Sequence, residues 1–377
     1  MAQQFLHDEQ KPSFDLSQAR SLVPLKDMGQ NHLEALLADL EPQVVFAGQV
    51  LFQEGAYDNK HVYLLHGRVH LEWPSGEHES VSGRETLMPL AQTQPRRAAA
   101  RAETDCSVLR LDSERLDKLL TWSQVADYLQ LIIARQRDLD EDVDWMMTVL
   151  RSNLFFKVPP LNVEQIFFRL KPRLVDAGDT VIRQGEMGDV CYFLKEGRAE
   201  VHRHRNGLWQ HLADIETGRC FGEDALVEDA PRNARVRMLT DGVLMCLDKQ
   251  DFYRLLREPE VPRTPLDVWR QAQERGAVLI DCRSEEEYDQ SHLPHAVNVP
   301  LSLLAIKSSL LRDEVEYLCY CDTGRRSRSA AHLLRQQGYL ARALANCPQL
   351  FADDEQRKHL TRTEQYLLRE GRSQLAK

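Results

Sequence analysis

The chain has 377 residues, 42% hydrophobic and 28% charged, which is enough for two or three folded domains. Its formal net charge of −10 argues against a protein that coats nucleic acid, because phosphate contacts need basic surface. No apolar run approaches the roughly 18 residues of a membrane-spanning helix, and the start Met1-Ala2-Gln3-Gln4-Phe5 carries no basic and apolar leader, so a cytoplasmic protein without a membrane partner is expected.

Residues 44–69 and 174–199 are two copies of one pattern. A constant offset pairs Ala47 with Ala177, Gly48 with Gly178, Gly55 with Gly185, Gly67 with Gly197 and Arg68 with Arg198. Glycines in register between short apolar runs mark turns between strands. Each copy ends in an apolar-periodic helical piece, near Asp112–Leu120 and Asp248–Leu256. The pattern predicts two all-β barrels or sandwiches with flanking helices.

Between the copies, Ser123 to Leu150 reads as one or two amphipathic helices. Val125, Leu129, Ile132 and Ile133 form an early stripe, and Val143, Met146, Met147 and Leu150 a later one. Such a stripe suits packing on a β-domain of the same chain, or a homodimer contact.

Copy two continues into Phe221-Gly222-Glu223-Asp224-Ala225-Leu226 and Pro231-Arg232-Asn233-Ala234. Gly222 permits close backbone approach, Glu223 can accept hydrogen bonds from hydroxyls, and a helical turn over Asp224–Glu228 offers amides to an anion. Arg232 can pair with a phosphate. From the residues alone, a plain turn with a surface ion pair between Glu223 and a nearby arginine is an equally good reading. The string resembles the phosphate-binding cassette of cyclic nucleotide-binding domains, as in bacterial transcription regulators and the protein kinase A regulatory subunit. The resemblance implies a β-roll or jelly-roll fold, Glu223 on the ribose 2′-hydroxyl and Arg232 on the cyclic phosphate. Gly222, Asp224, Ala225, Asn233 and Ala234 complete the cassette, with cAMP or cGMP as regulatory ligand. Arg235 stands where the family often has Thr or Ser. In copy one Pro95-Arg96-Arg97-Ala98 keeps the arginine motif, but Thr86 and Leu87 replace the Gly and Glu. Leucine cannot accept a ribose hydrogen bond, so this copy is expected to be the same fold with an empty pocket, serving docking or dimerisation.

After Pro259, Pro262 and Pro265 the pattern changes to alternating helix and strand. Val278-Leu279-Ile280 and Tyr317-Leu318-Cys319-Tyr320 are short apolar strands. Arg328 to Gln337 is helical, closed by Gly338. Cys321 lies between the second strand and this helix, in Cys321-Asp322-Thr323-Gly324-Arg325-Arg326-Ser327. Amides at a helix N-terminus, the tight loop allowed by Gly324, and Arg325, Arg326 and Arg328 all favour an anion. A lowered thiol pKa is therefore expected for Cys321. The other seven cysteines (106, 191, 220, 246, 282, 319 and 347) read as mostly reduced thiols, since no spacing matches a metal site.

The C-terminal loop resembles the rhodanese family's C-x-x-G-x-R-S, standing here as Cys321, Gly324, Arg326 and Ser327. The family's upstream residues stand as Asp281, Arg283, Glu287 and Tyr288, followed by Ser291-His292-Leu293-Pro294-His295-Ala296-Val297-Asn298-Val299-Pro300. Ser291, His295 and the pair Asn346-Cys347 replace family glycines. The resemblance implies a parallel-sheet α/β domain and a persulfide on Cys321, cradled by loop amides and a basic side chain. It also implies a sulfur donor and a thiol or protein acceptor. Asp281, Arg283 and His292 are expected to be structural. Tyrosine phosphatases share this helix-terminus physics, but have five residues between Cys and Arg where this chain has four, which suits sulfur better than phosphate.

The expected organisation is a degenerate cyclic nucleotide-binding-like domain at 15–122, a helical linker at 123–149, and a cyclic nucleotide-binding domain at 150–257. A rhodanese-like domain follows at 265–352, then a charged tail at 353–377 with a weak helical pattern over Leu360–Leu368. No helix-turn-helix is visible, so no direct DNA binding is expected. The expected activity is a cyclic nucleotide-responsive sulfurtransferase. The alternative is a signalling or scaffold protein that uses the last domain for protein interaction or redox sensing.

Overall fold

The computed structural model describes residues 14–136, 145, 159, 162, 166, 167, 169–257 and 259–376. The chain divides into two compact units, one of residues 1–124 with 261–377 and one of residues 125–260.

In the first unit a β-roll is built from β1 (Gln43–Val45), β2 (Val50–Phe52), β3 (Lys60–His66), β4 (Arg68–Glu72), β5 (His78–Ser82), β6 (Ala99–Ala102) and β7 (Cys106–Asp112). The sheets run β1-β7-β3 and β2-β6-β4-β5, all antiparallel. Val62, Leu64, Val69, Leu71, Ala100 and Val108 close the core between them. Alternating burial along β4, with Val69 and Leu71 in, is the period-two pattern of a half-buried strand. Short helices α1 (Leu16–Ala19) and α2 (Gln30–Leu37) precede the roll. Helix α3 (Ser113–Gln136) follows it without a break, Asp112 accepting the amide of Arg115 at 3.0 Å in its first turn. The helical piece expected near Asp112–Leu120 and the start of the stretch expected from Ser123 are one helix, with Leu116, Leu119, Leu120, Trp122, Val125 and Leu129 buried along it. Val143, Met146, Met147 and Leu150 lie outside the described residues.

The second unit repeats the roll. It comprises β8 (Lys171–Val175), β9 (Thr180–Ile182), β10 (Val190–Glu196), β11 (Ala199–Arg205), β12 (Leu208–Ile215), β13 (Cys220–Phe221), β14 (Arg235–Met238) and β15 (Gly242–Asp248). Its sheets run β13-β10-β15-β8 and β12-β11-β14-β9. The repeat extends to irregularities: β3 slips register between Leu64 and His66, and β10 between Leu194 and Glu196. Gly67 and Gly197 both hold positive φ, and a Cβ there would strike the carbonyls of Asp105 and Asp241, so only glycine fits. Between β13 and β14 lies helix α4 (Glu223–Val227), and α5 (Lys249–Leu256) closes the roll with Asp248 as N-cap.

Residues 261–377 form a five-stranded parallel sheet in the order β16 (Arg263–Thr264), β20 (Leu340–Leu344), β19 (Glu316–Tyr320), β17 (Val278–Asp281) and β18 (Val297–Asn298). All four residues of β17 and the last four of β19 are buried, as strands covered on both faces must be. Helices α6 (Trp269–Glu274), α7 (Glu285–Gln290), α8 (Leu304–Lys307) and α9 (Arg325–Gln336) connect its strands, and α10 (Cys347–Ala352) and α11 (Asp354–Arg357) follow β20. The tail differs from the helical expectation. It is a hairpin of β21 (Tyr366–Arg369) and β22 (Arg372–Leu375), turned by Glu370 and Gly371 at φ 47° and 75°. Two consecutive positive-φ residues are what a tight hairpin needs. The hairpin is tied down: Gly371 donates to the Leu310 carbonyl at 2.8 Å, and Ser373 to that of His295 at 2.7 Å.

Candidate functional site

Cys321 sits where β19 ends, and Gly324 at φ 87° turns the chain into α9. The left-handed turn brings amides inward: Gly324 N donates to Cys321 Sγ at 3.0 Å, and Ser327 N reaches it at 3.4 Å. The Ser327 hydroxyl lies 3.6 Å from the same sulfur. Two amides and one hydroxyl of the loop thus converge on the Cys321 sulfur.

The arginines depart from expectation. Arg326 is buried and forks onto Glu287 at 2.7 and 2.9 Å, and also binds Asp322 at 2.8 Å. Its charge is spent on two carboxylates, and it holds Asp322 down to about 2 despite burial. Arg325 donates through Nε to Asp117 of α3 at 2.9 Å, and Thr323 donates its hydroxyl to the other oxygen of Asp117 at 3.0 Å. Cys321 is fully buried. Burial first, then the Asp322 charge, push its thiol up, and Arg326 only partly offsets this. The lowered thiol expected from the loop is thus reversed, because Arg325 and Arg326 face carboxylates and the sulfur has lost water. Burial likewise pushes neighbouring Cys347 up to about 12. None of the eight cysteines, all among the described residues, is joined in a disulfide.

Two of the four replaced glycines keep a glycine-like backbone, whereas Ser291 is extended and Cys347 opens a helix. His295 and Asn346 adopt φ 59° and 55°, the left-handed region a glycine would favour. Asp281 and Arg283 form a buried pair at 2.7 Å, and both ring nitrogens of His292 lie against carbonyls, of Tyr288 at 2.8 Å and Glu364 at 2.6 Å. These three hold loops. A cleft of about 820 Å³ opens between the first β-roll and the parallel-sheet domain, with Trp73, Arg97, Phe351, Asp322 and Thr323 on its walls.

In the second β-roll Gly222 takes φ 82° ahead of α4. Arg232 is buried behind it, donating to the Gly222 and Val190 carbonyls, both at 2.5 Å. A Cβ on Gly222 would come within 2.7 Å of that guanidinium, and one on Gly188 within 3.0 Å. Ala225 and Ala234 are buried beside it, Glu223 is half-buried, and Asp224 and Asn233 are exposed. Arg235 lays its guanidinium 4.0 Å over the Trp209 ring, a platform the sequence reading missed.

The first β-roll handles the matching arginine differently. Arg96 binds Asp58 through Nε at 3.3 Å and Nη2 at 2.9 Å, and also reaches the carbonyls of Leu90, Ala91 and Lys60. Phe52 lies 4.2 Å beneath it. Asp58 occupies the position of Gly188 in the repeat, and the sequence reading overlooked it. Among the described residues no cluster of metal ligands occurs, and no helix is long and apolar enough to cross a membrane.

The cyclic nucleotide-binding domain model matches residues 42–121 and 172–258, and the rhodanese-like domain model residues 264–346. A cyclic nucleotide-gated potassium channel of Rhizobium etli is 36% identical over 122 residues, 32% of this chain and 33% of the channel. A cAMP-dependent protein kinase regulatory subunit of Mucor circinelloides is 43% identical over 81 residues, 21% of this chain and 18% of the subunit. This chain thus spans no more than a third of either relative's length. Among solved structures, the Thermus thermophilus catabolite activator protein is 28% identical, covering 26% of this chain and 46% of its own, with a TM-score of 0.25.

Proposed function

We propose that this chain, two cyclic nucleotide-binding domains followed by a rhodanese-like domain, is a sulfurtransferase whose rate responds to a cyclic nucleotide in the second β-roll. The observation that carries the enzyme reading is the pair of amides, Gly324 and Ser327, aimed at Cys321 Sγ. The Cys321 thiolate attacks the outer sulfur of a donor such as thiosulfate. The donor's S–S bond breaks, sulfite leaves with the electron pair, and Cys321 carries a persulfide. The loop amides are placed to stabilise charge on that sulfur. An acceptor nucleophile, a thiol or cyanide, takes the outer sulfur and returns the thiolate.

Because burial raises the thiol, the reactive form is scarce at neutral pH. The rate is expected to climb up to about tenfold per pH unit through the alkaline range until the thiol has titrated. The assay is thiocyanate formation from thiosulfate and cyanide, and Cys321→Ser should abolish it. No transfer from any sulfur donor would sink the enzyme reading. The ligand reading rests on buried Arg232 behind Gly222 and on the relatives named for cyclic nucleotide gating and cAMP dependence. A ligand changes the rate only through different affinity for two states, so cAMP or cGMP should shift the rate in saturable fashion. The second reading, a signalling or scaffold protein, draws support from the burial of Cys321 under a loop tied to Asp117. A chain that binds nucleotide yet transfers no sulfur would favour it.

A further inference from the structure

Helix α3 of the first β-roll reaches the cysteine loop. Asp117, itself buried, accepts Thr323 Oγ1 on one carboxylate oxygen at 3.0 Å and Arg325 Nε on the other at 2.9 Å. Thr323 and Arg325 flank Gly324, whose amide points at the sulfur. Thr323 Oγ1 also accepts the Arg325 amide at 3.2 Å, so one carboxylate anchors both sides of the turn. Of the two loop arginines, Arg326 is sealed, whereas the Arg325 side chain is 28% exposed. Arg325 is therefore the more accessible of these two cations, and Asp117 already holds it.

We propose that Asp117 is a positioning and specificity residue of the cysteine site. Through it the first β-roll, with its own nucleotide pocket closed, fixes the loop and competes with an anionic sulfur donor for Arg325. The donor part of this inference rests on the sulfurtransferase reading; the loop part does not.

The electrostatics agree in sign. The groups facing Cys321 are Asp322 and Arg326 of its own loop and helix, Asp117 of α3, Cys282 just past the end of β17, and Cys347 of α10. Asp322 and Asp117 disfavour the thiolate and Arg326 favours it. Removing the Asp117 charge should ease ionisation. Removing the Arg325 charge leaves Asp117 unneutralised and should do the opposite.

The test is the pH dependence of Cys321 alkylation by iodoacetamide in the full chain, read by mass spectrometry. For Asp117→Asn the midpoint should fall by about half to one pH unit, the size expected of one nearby, partly screened charge. Arg325→Gln should move it upward, and Asp117→Glu should restore the original profile. With thiosulfate at a pH above both midpoints, where ionisation no longer differs, Asp117→Asn should lower KM about three- to tenfold while kcat changes less, the signature of a released ground-state contact. An unchanged midpoint in folded Asp117→Asn, or shifts of the same sign in Asp117→Asn and Arg325→Gln, overturns the proposal. If Asp117→Asn does not fold, Arg325→Gln decides alone, and an unchanged or lowered midpoint overturns it. Absence of sulfur transfer overturns the enzyme reading, while the alkylation profiles still decide this one.

Discussion

In the first β-roll the buried arginine of the cassette faces a carboxylate of its own chain, whereas in the second that carboxylate's position is a glycine. Arg96 has Asp58, three carbonyls and a phenyl ring around it. Arg232 has the carbonyls of Gly222 and Val190, with Gly188 close enough that any side chain there would press on the guanidinium. A buried cation needs an anion or a set of acceptors. One copy sets a carboxylate of its own against the cation, and the other sets two backbone carbonyls there. The difference teaches that one position on the strand-connecting loop, Asp58 against Gly188, changes what the buried arginine faces without touching the arginine motif.

Transplanting the carboxylate should have the largest effect. Gly188→Asp is expected to weaken cyclic nucleotide binding by at least about a hundredfold, comparable to Arg232→Glu, because the new side chain takes the phosphate's place on Arg232. Calorimetric titration checks it, and retained affinity would break the comparison. Next, Arg96→Met should cost about 2–4 kcal/mol in urea unfolding, since it strands Asp58 and buried carbonyls, while nucleotide affinity stays unchanged. A smaller effect concerns acid. Bonds from Arg96 and the Lys60 amide hold the Asp58 carboxyl below its ordinary value against burial. Its contribution is therefore complete above the unfolded carboxylate's value of about 3.9 and is lost as pH falls through the lower folded value. Asp58→Asn should flatten the acid limb of a Tm-against-pH curve for the first unit. Smallest of all, Asp58→Gly should create no nucleotide binding, because Thr86 and Leu87 still offer no ribose acceptor.

What the sequence made legible was local. The glycines in register, the cassette at 222–234 and the loop at 321–327 each lie within a few consecutive residues, and the amides of Gly324 and Ser327 do point at Cys321. What stayed hidden depends on distance along the chain. Asp58 meets Arg96 38 residues away, and Asp117 meets Thr323 and Arg325 206 and 208 residues away. These partners decide the charge each arginine presents, and so the thiol's direction was misread from the loop alone. The tail was misread for another reason. Leu360, Leu367 and Leu368 suggest a helix stripe, but Glu370-Gly371 is a tight-turn signal that outweighs it.

The most direct measurement is the stoichiometry of cyclic AMP or cyclic GMP bound to the intact chain by isothermal titration calorimetry. The account predicts one nucleotide per chain, falling to none in Arg232→Glu and unchanged in Arg96→Met. Two nucleotides per chain, or one that survives Arg232→Glu, would contradict it.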